Sequence, residues 1–101
     1  MMNRDVPLSV LMPVRNAEAS VECAVQSILA STFRDFEIVA VDDGSTDATP
    51  GILERLRSAD RRIRIVTAEG RGVVSAVNHG VRLCRGPLIA RMDADLSLIH
   101  I

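Results

Sequence analysis

Residues 36–58 read FEIVAVDDGSTDATPGILERLRS, and the succession of residue types in this stretch sets the architecture. Phe36–Asp43 is rich in branched and apolar residues, which reads as a strand buried on both faces. It ends in two acids, Asp42 and Asp43. GSTDATP follows as a turn, in which Gly44 supplies a permissive backbone and Ser45 or Thr46 can cap a helix. The carboxylate of Asp47 suits that helix's positive end. The helix runs to about Ser58, with Ile52, Leu53 and Leu56 on its inner face.

The same alternation extends outward on both sides. VPLSVLMPV (Val6–Val14) reads as another buried strand, ended by Pro13, and Asn16 is placed to cap a helix over Ala17–Ala30. The apolar stripe of that helix is Val21, Ala24, Val25, Ile28 and Leu29. RIRIVTA (Arg62–Ala68) alternates like a strand near a sheet edge. Gly70 and Gly72 open a third helix carrying Val73, Val77, Val81 and Leu83, and Gly86 ends it. PLIARMD (Pro87–Asp93) reads as a fourth, buried strand. The pattern β-α-β-α-β-α-β predicts a Rossmann-like three-layer α/β/α fold with a mainly parallel sheet covered on both faces. Ligands of such sheets bind outside the carboxyl ends of the strands. Those ends hold Pro13, Arg15 and Asn16, then Asp42 and Asp43, then Glu69, then Asp93 and Asp95, so the rim is acidic.

Bulk properties narrow the function. The chain has 101 residues, 48% of them hydrophobic, enough for one small domain with a real core. A net charge of −1 argues against nucleic acid and anionic membrane as partners. No apolar run approaches a membrane span, and no signal peptide is recognisable, which points to a cytoplasmic protein. Cys23 and Cys84 lie in helical patterns and read as reduced core thiols. All 12 basic residues are Arg.

Two constellations carry chemistry. Asp93 and Asp95 are two positions apart, so in extended chain they project from one face with Cα atoms roughly 7 Å apart. Paired carboxylates of this kind suit Mg²⁺ or Mn²⁺ shared with a substrate's phosphates. Asp42 and Asp43 are adjacent like charges, a costly arrangement unless a ligand uses them. A carboxylate there can accept an N–H from a nucleobase.

The ordered set SVLMPVRNAE, FEIVAVDDGSTD and GVVSAVNHGVRLCRGPLIARMDAD resembles the N-terminal half of family-2 glycosyltransferases, which have the GT-A fold. The resemblance covers residues 8–95. It implies transfer of a sugar from a nucleoside-diphosphate donor, a UDP-sugar being favoured, usually with inversion, to an acceptor it does not identify. It implies that Pro13, Arg15, Asp42 and Asp43 line the nucleoside pocket, with Asp43 favoured for the base. Asp93 would face the ribose and Asp95 would hold a divalent cation, Mn²⁺ or Mg²⁺, on the diphosphate. Arg71 and Asn78 are the polar candidates on the helix beside the donor.

The chain departs from the family where an aromatic residue is common, at Val14 or Arg15, which weakens base stacking. After Asp95 it reads LSLIHI, unlike the family, so residues 1–95 are expected to form the donor-binding part and residues 96–101 an atypical, truncated end. The residue acting as base on the acceptor is then expected to be missing, and this chain alone to be inactive. A non-catalytic nucleotide-binding module is the main alternative. Glu69–Ala76 also nearly matches a dinucleotide-binding fingerprint, but Ser75 stands at its third small position, the loop follows the third strand, and VDDGSTD would go unexplained. A phosphoacceptor receiver domain needs a lysine, and the chain has none.

Overall fold

The computed structural model describes residues 7–31, 34–70, 72–92 and 94. Seven elements alternate in the expected order: β1 (Leu8–Val14), α1 (Val21–Leu29), β2 (Phe36–Asp42), α2 (Thr49–Ala59), β3 (Ile63–Thr67), α3 (Val73–Leu83) and β4 (Leu88–Arg91). All pairings are parallel, and the strand order is β3-β2-β1-β4. The chain builds outward from β1 through β2 to β3, an edge strand as its alternation suggested. It then returns through α3 to set β4 on the other side of β1.

Successive strand residues face opposite sides, and the two sides form separate cores. Val10, Met12, Ile38 and Ala40 pack with the stripes of α1 (Val21, Ala24, Val25, Ile28) and α2 (Leu53, Leu56). Leu11, Val39 and Val41 meet Ala76 of α3 on the opposite side. The fold is therefore α/β/α, with α1 and α2 on one face and α3 on the other.

Four expectations are corrected. Helix α1 starts at Val21 rather than Ala17, because the Ala17 carbonyl accepts the N–H groups of Ser20 and Val21 and closes a turn first. Cys23 is exposed, off the α1 stripe, and so is no core thiol, whereas Cys84, half-buried just past α3, packs against the core on that side. In α3 the buried, sheet-facing residues are Ala76 and Gly80, and of the expected stripe Val77 packs against that core, while Val73, Val81 and Leu83 are exposed. The helix lies so close to the sheet that a Cβ on Gly80 would overlap Leu11 Cδ1 and come within 2.7 Å of Val41 Cγ2. Finally, β4 is exposed along its whole length, because it is an edge strand and α3 packs on β1 and β2 instead.

Candidate functional site

Strand order reverses between β1 and β4, and this switch point is where an open parallel sheet leaves a crevice. The crevice is deepened by a step. Leu88 of β4 starts level with Leu8, but β4 ends at Arg91, level with Leu11, while β1 continues to Val14. A cavity of about 310 Å³ occupies this corner. Pro13, Val14 and Arg15 border it from the end of β1, and Asp43 from the end of β2. Val73 and Ala76 of α3 add apolar wall, and Arg91 and Ala94 come from β4 and the chain after it.

Asp43 is the focus. It is only 3% exposed, and its N–H donates to the Val14 carbonyl at 2.8 Å, fixing the residue against β1. Its carboxylate accepts two backbone N–H groups from the loop that opens α3: Gly70 to Oδ1 at 2.8 Å and Gly72 to Oδ2 at 3.0 Å. Gly70 and Gly72 have φ of 77° and 108°, the left-handed conformations that turn amides inward to form an anion nest. That nest is filled by the chain's own carboxylate. The dinucleotide reading needs these glycine amides on a pyrophosphate, so the geometry speaks against it. Two bonds leave the carboxylate with further acceptor capacity toward a ligand.

Asp42 has the opposite aspect. It faces the α1 side, is 6% exposed, and its Oδ1 accepts the Ser45 N–H at 3.1 Å. The adjacent acids thus each accept backbone donors, on opposite sides of the sheet.

The capping assignments also change. Asn16 caps no helix; it sits at φ 48° and bonds across to the neighbouring loop. Its N–H donates to Ser45 Oγ at 2.9 Å, and its Oδ1 accepts the Thr46 N–H at 2.8 Å. Beside it, the Ala17 N–H donates to Thr49 Oγ1, Glu18 N–H to Asp47 Oδ2, and Ala48 N–H to Glu18 Oε1. Each loop satisfies the other's backbone, which ties together the strand ends beneath Arg15. Asp47 does serve the start of α2, accepting the Thr49 N–H at 2.9 Å. Bonding from the Thr49 hydroxyl and from these backbone groups holds its carboxyl below the usual aspartate value despite some desolvation.

The other predicted residues fall elsewhere. Asn78 lies on the far side of α3, lining a second cavity of about 660 Å³ with Glu69, Ser75, His79 and Arg82. Arg71, Asp93 and Asp95 lie outside the described residues. Ala94, between the two acids, is buried and borders the first cavity. Among the described residues no three His, Cys, Asp or Glu side chains converge on a possible metal position. Sequence reasoning missed Arg91, whose signal was its even spacing from Asp93 along one strand face.

The profile of Glycosyl transferase family 2 matches residues 9–99. The chain belongs to this family. The glycosyltransferase chain is 40% identical over 91 residues to the chondroitin synthase of Escherichia coli, covering 89% of this chain and 13% of that protein. Among solved structures, it superimposes on the mannosyltransferase PcManGT of Pyrobaculum calidifontis, in complex with GDP-Man and Mn²⁺. The TM-score is 0.83 at 27% identity, over 91% of this chain and 28% of that one. It superimposes also on S. aureus TarS 1-349 in complex with UDP-GlcNAc, with a TM-score of 0.80 at 28% identity, over 87% of this chain and 26% of that one. The fold is GT-A. The chain thus spans well under a third of the length of these relatives.

Proposed function

We propose that this glycosyltransferase chain forms the donor-binding part of an inverting enzyme that transfers a sugar from a nucleoside diphosphate to an acceptor hydroxyl. The observation that carries the reading is Asp43: a nearly buried carboxylate, held by two glycine amides, in the wall of the switch-point cavity. Pro13 and Arg15 border the nucleoside beside it. The carboxylate suits a base that presents a ring N–H, such as uracil or guanine, and a UDP-sugar is the favoured donor. Solved relatives hold both UDP-GlcNAc and GDP-Man.

Asp93 would face the ribose, and Asp95 would hold Mn²⁺ or Mg²⁺. The fit rests on two points: Ala94, the residue between these two acids in the sequence, borders the cavity, and hard carboxylate oxygens suit these ions. When bound, such an ion neutralises charge that develops on the departing diphosphate. Arg71 lies between the glycines that Asp43 holds and stays a candidate donor contact. Asn78 is left out of the donor site because it lines the other cavity. Free cysteines fit a reducing, cytoplasmic setting.

Isothermal titration with UDP, GDP, CDP and ADP, each with and without Mn²⁺, tests the reading. Metal-enhanced binding of UDP or GDP over CDP and ADP is expected, with the enhancement lost in Asp95→Ala. Equal, metal-independent binding of all four would overturn it. Direct displacement also needs a base within reach of the acceptor hydroxyl. Asp42 and Asp43 both hold backbone amides, and Glu69 lines the other cavity. Residues 1–101 are therefore expected to bind donor without forming glycoside; turnover would assign the base to one of these acids or to Asp93.

A further inference from the structure

Arg91 stands on the lower tread of the step at the switch point. Its register partner Leu11 faces the α3 core, so Arg91 lies on the α3 side of the sheet. Asp43 lies on that same side, in even steps from Val39 and Val41. Leu11 is aligned with Val39, which sets Arg91 four residues lower along the strands than Asp43 and two strands away. At 3.3 Å per residue and 4.8 Å per strand, the two Cα positions are roughly 16 Å apart. The two side chains reach into this span from its ends, and what lies between them suits a nucleoside that carries phosphate. Arg15 sits one residue past β1, level with Asp43, and so belongs to the nucleoside end. Arg91 is the cation at the other end of the cavity, on an exposed strand and with a planar fork of donors matched to phosphate oxygens.

We infer that Arg91 is the residue that reads the donor's phosphate chain, while Asp43 reads its base. This rests on the donor-binding function proposed above and adds a specificity determinant to it. It divides recognition between two elements joined only through the switch point: the end of β2 and the end of β4. An arginine on an edge strand also discourages strand pairing, but that use is indifferent to the ligand.

The distinction is measurable by NMR titration of the parent chain, Arg91→Ala and Arg91→Lys with uridine and with UDP, in metal-free buffer at low and high salt. Arg91→Ala should bind UDP about tenfold more weakly, the loss of one charge-assisted contact, with uridine binding unchanged. Arg91→Lys should recover part of the loss, and the salt dependence of UDP binding should fall in Arg91→Ala. Equal weakening of uridine and UDP, or undiminished UDP binding, would overturn the assignment. Failure of the parent chain to bind either ligand would instead remove the donor reading, and this inference with it.

Discussion

Strand β2 carries two nearly buried carboxylates on the same side of the sheet, Glu37 at its start and Asp43 just past its end, 5% and 3% exposed. Each accepts N–H groups from one end of α3. Asp43 takes Gly70 and Gly72 ahead of the helix. Glu37 takes the Arg85 N–H at 2.6 Å behind it, and Ser9, which donates to Glu37 at 2.6 Å, accepts the Gly86 N–H at 2.8 Å. Together they pin both ends of a helix whose buried residues are only an alanine and a glycine. The difference lies in what else they meet. Glu37 is closed off by an internal cation, Arg64, at 2.8 Å. Asp43 borders a cavity, and its described side-chain bonds are to neutral amides. A buried carboxylate marks a site only where its remaining capacity faces open space.

The largest expected effect is on the closed side. Glu37→Ala leaves the Arg85 N–H and the Ser9 hydroxyl without this acceptor and the Arg64 guanidinium with the Leu83 carbonyl alone of its described partners, which should cost about 3–5 kcal/mol in urea denaturation. Nucleotide affinity of the folded fraction should stay within about twofold, since the cluster is at the opposite end of β2. A loss below about 1 kcal/mol would show that Glu37 is not a staple.

Glycines beside each carboxylate sharpen the contrast. A Cβ on Gly86 would lie 2.8 Å from backbone atoms of Leu8 and Ser9, so Gly86→Ala should cost about 1–3 kcal/mol and leave nucleotide selectivity intact. Gly44 has φ 78°, and its Cβ would approach Gly70 Cα at 3.1 Å. Gly44→Ala should cost about 1–2 kcal/mol and also weaken nucleotide binding, because it pushes on the loop that Asp43 holds. Equal binding by both variants would dissolve the comparison.

Asp43→Asn keeps the shape but turns an amide NH₂ toward a glycine N–H. Stability should fall by about 1–2 kcal/mol, and preference for UDP over CDP should flatten. If the preference survives, Asp43 is a staple only, like Glu37.

The smallest effect is the acid limb of stability. Burial alone would raise the Glu37 pKa, but the Ser9 hydroxyl, the Arg85 N–H and Arg64 outweigh it and hold the group below its ordinary 4.5. With the folded value depressed, its contribution is present above the unfolded value and is lost as pH falls below 4.5 through the folded one. Glu37→Gln should flatten that limb in thermal melts between pH 5 and 3. An unchanged profile would place the titration elsewhere, for example at Asp60, which Arg62 also holds low.

The sequence by itself determined the order and kind of every element, the parallel sheet, the edge position of β3 and the gathering of Pro13, Arg15 and Asp43 at strand ends. Those features follow from local periodicity and from turn residues, which act over a few positions. It did not determine what each polar group bonds to. Asn16 and the Ser45–Thr46 turn looked like helix caps because capping is a local rule; the fold sets the two loops side by side, and they cap each other instead. The valines of α3 looked like its inner stripe, but the close approach to Leu11 and Val41 gives the buried centre to Ala76 and Gly80; Val77 packs beside them, while Val73 and Val81 are exposed. Asn78 looked like a donor contact from its helix, whereas the helix's rotation puts it in the other cavity. Glu37 and Arg91 drew no notice, since a charge inside an apolar strand has no meaning until its neighbours are known. Those neighbours lie 27 residues away for the Glu37–Arg64 pair and 48 for Glu37–Arg85, separations at which only the packing of α3 on the sheet decides who meets whom.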